Sequence, residues 1–376
     1  MKRLNGYRKR LMLFGIVVFV VLGRGSAKAD FTFGEPENLG LPLNSSSGDT
    51  VACFSADGLE MYLSSHRSDG YGGGDIWVVT KKASERLPEG YWSEPQNLGV
   101  TVNSQSDDGS PCISSDGLEM YFHSNRDGGF YGLDIWVTRR STIDDAWEIP
   151  KNLGLSVNSS DWDGWPWLSS DGLELYFISR NRAGGCGDTD IWISRRATKN
   201  DPWGEPVNLG QPVNSSDSEC WVSMSSDDLT LFFSGEFNLP IRPGGYGNSD
   251  MWMSRRSSIS DPWGTPVNLG PIVNSSDFDC GPRVSSHGYT MYFSSERPGG
   301  YGGRRGDIYQ ASIIPIVDLN TDGIVDSADM VIMVDHWGTD NASCDIGPMP
   351  WGDGIVDVQD LIVLAEHLFE EVPPVQ

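Results

Sequence analysis

Five times the chain repeats one pattern: a Ser-Ser-Asp-Gly turn, an alternating apolar run, a glycine-rich stretch and an Asp-Ile-Trp tripeptide. The clearest copy is Ser169-Ser170-Asp171-Gly172-Leu173-Glu174-Leu175-Tyr176-Phe177, followed by Asp190-Ile191-Trp192. The turn residues are Asp57-Gly58, Asp116-Gly117, Asp171-Gly172, Asp227-Asp228 and His287-Gly288, so successive turns lie 59, 55, 56 and 60 residues apart. The tripeptides begin at Asp75, Asp134, Asp190, Asp250 and Asp307, the last reading Asp-Ile-Tyr. Units of this length bury their faces against one another in an array, and that constraint governs every other reading of the chain.

Each unit holds four short extended runs. The first leads into the turn, as Pro111-Cys112-Ile113 does; the second leaves it with period-two alternation, as in Leu118-Glu119-Met120-Tyr121-Phe122. Asp-Gly between two such runs is a strong hairpin signal, with positive φ predicted at both residues. A glycine-rich loop such as 297–303 precedes the Asp-Ile-Trp strand, and the fourth run is Trp-Xaa-Xaa-Pro-Xaa-Asn-Leu-Gly, as at 203–210. No helical period appears in residues 30–313, and four strands per unit describe a propeller blade. The fourth run also precedes the first repeat at 33–40 and is missing after the fifth. The leading segment is therefore predicted to complete the last blade and close an all-β, five-bladed propeller without an open edge.

These motifs resemble the TolB-like, WD-type propeller repeat family over about three-quarters of the chain. The fourth repeat departs by placing Asp228 at the turn glycine and the fifth by placing His287 at the turn aspartate. The resemblance implies the fold; it does not imply a function, because propellers scaffold many.

Lys2, Arg3, Arg8, Lys9 and Arg10 precede an apolar run at 11–22 and an Ala27-Lys28-Ala29 cleavage site, which predicts a secretory signal peptide over 1–29. An uncleaved membrane anchor is the alternative. Removing 1–29 takes seven Lys/Arg and no Asp/Glu, so the net charge of −25 becomes −32. Such a surface repels nucleic acid and anionic lipid. The expected compartment is extracellular, with no membrane association after cleavage. Secretion also permits disulfides: Cys53 and Cys112 fall at equivalent places in neighbouring repeats, as do Cys220 and Cys280, giving two candidate bridges with buried thiols as the alternative.

Eight residues before each turn aspartate or its replacement stands an acid: Asp49, Asp108, Asp163, Glu219 and Asp279. This ring offers a cation site, the carboxylates of a glycosidase, or a loop-fixing group that recurs because every blade needs it. Arg67, Arg126 and Arg297 repeat as well, as do Asn-Ser-Ser triplets at Asn44, Asn158, Asn214 and Asn274, which match the glycosylation sequon but read first as loop chemistry. Trp162, Trp165, Trp167 and Trp221 do not repeat. They form a candidate ligand platform near Asp163 and Glu219, with inter-blade filling as the alternative. No Gly-Xaa-Ser-Xaa-Gly or His-Glu-Xaa-Xaa-His motif is present, and the five histidines are scattered, so a histidine metal site is not expected.

From residue 314 onward the composition changes to a linker and a second module, 314–376. Asp318, Asn320, Asp322, the Ile324 carbonyl, Asp326 and Asp329 have the spacing of a twelve-residue calcium loop, with Gly323 at the sharp turn. A helix from 330 to 337 is predicted to follow, with Met330, Met333, Val334 and Trp337 on one face. Asp353, the Ile355 carbonyl, Asp357 and Asp360 form a second half-loop before a helix at 361–369, with Asp345 as a more distant ligand across seven intervening residues. Paired loops that each carry a single following helix resemble a type I dockerin, over about residues 316–371. That resemblance implies two Ca2+ ions and docking to a cohesin module through Ser327, Ala328, Val358 and Gln359.

The chain thus reads as a secreted, non-catalytic propeller that binds a ligand, a polysaccharide or a protein, and is anchored by a calcium-dependent dockerin. The alternatives are a polysaccharide-degrading glycoside hydrolase or lyase that uses the ring acids, and a structural spacer.

Overall fold

The computed structural model describes residues 31–82, 91–130, 132–235, 242–286, 288–301, 306–320, 324–339, 341, 344–347 and 355–369. The expected signal peptide and His287 lie outside them. Among the described residues five antiparallel sheets form, one per repeat. The inner strands are Asp49–Phe54, Asp108–Ile113, Asp163–Leu168, Glu219–Met224 and Asp279–Val284. Each pairs with a second strand, which pairs with the strand opened by the Asp-Ile-Trp aspartate or the residue next to it. Outer strands such as Val207–Asn208 hold two residues, because Pro206 lacks an N–H and Gly210 turns the chain at φ 74°. Short edges of this kind discourage pairing with other chains.

One apolar cluster fills each seam between neighbouring blades. Tyr62 and Ile76 of blade one meet Met120 and Phe122 of blade two, and Leu63 and Trp77 meet Tyr292 and Ile308 of blade five. Burying a side chain such as Phe122 contributes about 1.5–3 kcal/mol, so the seams hold the ring together. Closure uses the predicted strand: Asn38 pairs with Tyr309 and Phe33 with Ile313, while Phe31 extends the ladder to Pro315. The propeller therefore ends at 315 rather than 313.

The hairpins differ from the expected turn. Only the second residue is left-handed, with φ 68° at Gly58, 71° at Gly117 and 74° at Gly172. Gly58 N–H donates to the Ser55 carbonyl at 2.8 Å, and Asp57 Oδ1 accepts from Ser55 Oγ at 2.6 Å and from Leu59 N–H at 3.0 Å. The aspartate caps the loop through its side chain, and a single glycine suffices. In blade four Asp228 adopts φ 59°, and its carboxylate accepts from Ser170 N–H and Oγ of blade three at 3.0 and 2.6 Å.

Neither candidate disulfide forms. Cys53, Cys112, Cys220 and Cys280 are buried and take part in no disulfide. Cys112 Sγ accepts from Leu168 N–H of blade three at 3.2 Å. Burial pushes the Cys53 thiol well up and that of Cys112 to about 11, so neither ionises to the thiolate that exchange requires.

In the tail, α1 (Ser327–Asp335) and α2 (Val358–Glu366) begin three residues before the predicted starts. Asp326 and Asp357 are N-caps that form capping boxes with Asp329 and Asp360, so positions assigned to the loop make the first helical turn. Met333 is buried and Met330 half-buried, whereas Val334 and Trp337 are exposed, so the expected apolar face is only partly covered. No helix among the described residues is long and apolar enough to cross a membrane.

Candidate functional site

The ring acids open the inner strands, and each is engaged by its own blade. Asp49, Asp108, Asp163, Glu219 and Asp279 contact Arg67, Arg126, Arg182, Arg242 and Arg297 at 2.6, 2.5, 3.2, 3.0 and 2.9 Å. Each also accepts from the backbone N–H and hydroxyl of a serine four residues earlier, as Asp49 does from Ser45 and Asp108 from Ser104. The arginines lie over the Asp-Ile-Trp rings, 5.3 Å from Trp77 and 5.5 Å from Trp252. Burial raises Glu219 above its ordinary range, against the opposing bonds from Ser215 and Arg242. Arg182 and Arg242 were not recognised in the sequence, although both precede a glycine pair two residues on, as Arg126 and Arg297 do.

The sequon asparagines are buried fasteners between units. Asn44, Asn158, Asn214 and Asn274 donate to the carbonyls of Ile308, Ile135, Ile191 and Met251 at 3.0, 3.1, 2.9 and 3.0 Å. Their side chains have no room for a glycan.

Two residues after the ring acid the inner strands bulge, and Ser110, Trp165, Trp221 and Gly281 take φ 48°, 47°, 50° and 63°. Left-handed backbone is disfavoured for a bulky side chain, and a bulge re-aims what it carries. Here it carries two indoles, which join a row of packed rings. Ring centroids run Trp162–Trp165 4.8 Å, Trp165–Trp221 5.2 Å and Trp221–Phe278 5.5 Å. Trp165 and Trp221 are only 3% and 7% exposed, so of the proposed platform these two are filling. Trp167 stacks at 5.2 Å under Arg283. That guanidinium, 2% exposed, donates to Ala52 O of blade one and, at 3.4 Å, to Trp221 O of blade four. Burial pulls its pKa down to about 10. One arginine thus ties blades one, three, four and five across the axis.

Trp162 is half-buried and lines an open cleft of about 190 Å³ between blades one, two and three. His66, Asp107, His123, Asn125, Ser64 and Ser110 share it. Asp107 Oδ1 accepts from Gly74 N–H at 2.8 Å and stands 4.0 Å from His66 Nε2; both side chains are about half exposed. His123 is held by Trp165, its ring 5.0 Å away edge-on and Nδ1 accepting from Trp165 N–H at 3.4 Å. Glycines make room for it: a Cβ on Gly109 would fall 2.9 Å from Nε2, and one on Gly164 3.1 Å from Nδ1. The two histidines, scattered in sequence, thus converge on one mouth with an indole, a carboxylate and an amide. Such a set recognises a polar ligand that has one apolar face.

In the tail, the two loops follow a 31-residue duplication that places Asp326 on Asp357, Asp329 on Asp360 and His336 on His367. Asp329 Oδ1 accepts from Asn320 N–H at 3.0 Å, and Asp360 Oδ1 from Gly347 N–H at 2.7 Å. Asp345 thereby corresponds to Asp318, and both are buried. Gly347 brings no side chain to the place that Asn320 fills. Asp326 and Asp357 are half-buried, and the Ile324 and Ile355 side chains are exposed. Asp322 and Asp353 lie outside the described residues, among which no three His, Cys, Asp or Glu side chains form a metal cluster. Yet no Lys or Arg follows Arg305, while eleven Asp and three Glu do. Buried Asp318, Asp329, Asp345 and Asp360 fit a cation-neutralised loop, since each bonded oxygen keeps a second lone pair. Ser327, Ala328, Val358 and Gln359 are exposed on the first turns of the helices.

No family model matches the sequence, and no curated protein matches it. Among solved structures it is similar to TolB from Acinetobacter baumannii, at 14% identity and TM-score 0.44, covering 75% of this chain and 63% of that one. The chain therefore spans less than two thirds of that TolB. It is also similar to an α-L-arabinofuranosidase from Lactobacillus brevis, at 15% identity and TM-score 0.46 over 73% of this chain and 92% of that one. An endo-arabinase from Bacteroides thetaiotaomicron matches at 14% identity and TM-score 0.45 over 77% and 98%. Likenesses this distant carry no argument about activity; the five-bladed propeller rests on the sheets themselves.

Proposed function

We propose that the propeller is a non-catalytic binding module for a carbohydrate, carried on a calcium-dependent docking tail of the dockerin type in a secreted protein. The observation that carries this is the cleft, where half-buried Trp162 stands with Asp107, His66 and Asn125 in one lining. An indole stacks on the C–H face of a sugar while the polar groups take its hydroxyls. The hydrolase reading needs an acid and a base that are free to exchange protons. Each ring acid is instead buried and bonded to an arginine and a serine, which argues against that role. The packed axis suits a spacer, but a spacer has no use for the cleft.

In the tail, Asp318, Asn320, Asp322, Asp326 and Asp329 with the Ile324 carbonyl would hold one Ca2+. Asp345, Asp353, Asp357 and Asp360 with the Ile355 carbonyl would hold a second. The ions would neutralise carboxylates that the module has no Lys or Arg to meet. The exposed first turns at Ser327, Ala328, Val358 and Gln359 would then face a cohesin-type partner.

The cleft is tested by titrating the full chain with neutral tetrasaccharides of the β-glucan, xylan and arabinan types while assaying for new reducing ends. Binding without cleavage is expected, weakened about three- to ten-fold in Trp162→Ala. Reducing-end release that disappears in Asp108→Asn or Asp163→Asn would replace this reading with hydrolysis.

A further inference from the structure

Tyr71, Phe130, Tyr246 and Tyr301 occupy one position of the blade. Their backbone N–H groups donate to Asp75, Asp134, Asp250 and Asp307 at 2.5, 2.6, 2.6 and 2.6 Å. Cys186 holds the same place in blade three, 2.8 Å from Asp190. The neighbouring backbone is fixed from the other side as well. A Cβ on Gly72 would fall 2.5 Å from Ser104 O of the next blade, one on Gly187 2.0 Å from Asp217 O, and one on Gly247 2.2 Å from Ser275 O. The loops at Tyr71, Cys186 and Tyr246 are therefore clamped between blades, while the four aromatic residues are 50%, 46%, 54% and 50% exposed and belong to none of the apolar clusters.

Four of five repeats thus hold an aromatic ring in the open, its backbone N–H bonded to the blade's aspartate. Phe130 serves in place of tyrosine, so the feature in common is the flat face and not the hydroxyl. A ring held this way presents a stacking plane at low conformational cost. Asp69, Asp107 and Asp127 are exposed on the same loops or beside them, which disfavours a polyanion. The loops of Tyr71 and Phe130 also supply Gly74 and Gly132 to the cleft wall, so the rings continue from the cleft around one face of the propeller.

We propose that Tyr71, Phe130, Tyr246 and Tyr301 form a rim of stacking sites on which a neutral polysaccharide rests at several blades at once, with the cleft as one stop along it. The ligand class rests on the reading of the cleft; the rim itself is a separate assignment. Engaging several weak sites through one chain raises apparent affinity well beyond any single contact.

The test compares polymers with their tetrasaccharides, using soluble β-glucan, arabinoxylan and arabinan, with polygalacturonate as the charged control. In the full chain, Tyr246→Ala and Tyr301→Ala, each remote from the cleft, should each weaken polymer binding about two- to ten-fold and leave tetrasaccharide binding unchanged. The fourfold alanine variant should lose polymer retention, and Cys186→Tyr, which adds a fifth ring, should tighten it. Thermal melting checks that the variants stay folded. Unchanged polymer affinity in the folded fourfold variant overturns the rim, as does polymer affinity no greater than that of the tetrasaccharide in the unaltered protein. Loss of tetrasaccharide binding in Trp162→Ala with the rim effects intact leaves both standing. Tetrasaccharide binding that ignores Trp162 while the rim variants fail removes the cleft reading alone.

Discussion

In the propeller each buried ring carboxylate meets an arginine from its own blade, whereas the tail buries aspartates with no arginine or lysine of its own. Both regions grew by duplication, and both gather carboxylates where a turn begins. The propeller neutralises them within the chain and is complete as made. On the proposed reading the tail takes its counter-charge from bound calcium, and its own core, around Val325, Met333, Val356 and Leu364, is short. On that reading the two regions differ in where the counter-charge comes from, and only the tail's fold depends on an added ion.

The largest expected effect separates the two directly. Chelating calcium should unfold the tail and leave the propeller intact. Cysteine provides the readout, since Cys186 is exposed and the other five are buried, Cys344 within the tail. A thiol reagent should label Cys186 alone in the calcium-loaded protein, Cys344 as well after chelation, and the remaining four only in denaturant. Labelling that ignores calcium would erase the contrast. An intermediate effect comes from opening one propeller pair. Arg67→Gln leaves Asp49 buried beside serine donors only, and should cost about 3–5 kcal/mol in denaturant titration. Adding Asp49→Asn should recover part of that loss; equal stabilities for all three proteins would show that the pair does not hold the blade.

The smallest effect lies on the surface, where a pair between blades is wet. Asp116 is held at about 2: burial acts to raise it, but hydrogen bonds from Lys199 and Ser114 prevail. A depressed carboxylate adds stability above its unfolded value of 3.8 and loses it as pH falls through about 2. In Lys199→Met the Asp116 titration, followed by carboxyl carbon NMR, should move up toward the ordinary value with little change in melting. A titration that stays put would mean that Ser114 and the Leu118 N–H set it without the lysine.

How much of this could be read from the chain depends on whether a residue repeats. The blade count, the closing strand and the ring acids were legible because five copies act as controls for one another. Asp228 was legible only as an oddity, since its serine partners lie in another blade. The cleft was not legible. His66 stands where blade two has Asn125, and His123 where blade one has Ser64, so neither marks a pattern, and only the curvature of the ring brings them together. Both positions depart from their columns, as the unrepeated tryptophans do, but the burial of Trp165 and Trp221 has no such mark, because a left-handed bulge that re-aims an indole leaves no trace in composition. In the tail, Asp-Xaa-Xaa-Asp was read as loop ligands alone, when the same two side chains also start a helix.

The clasp at Phe31–Phe33 has a consequence for how the protein is made. Its partner, the stretch running to Pro315, is the last part of the ring to leave the ribosome, so the first strand must wait unpaired through the synthesis of four whole blades. During that wait Phe31 and Phe33 lack the partners that bury them in the finished ring, so an apolar pair stays open to other contacts until the last blade arrives.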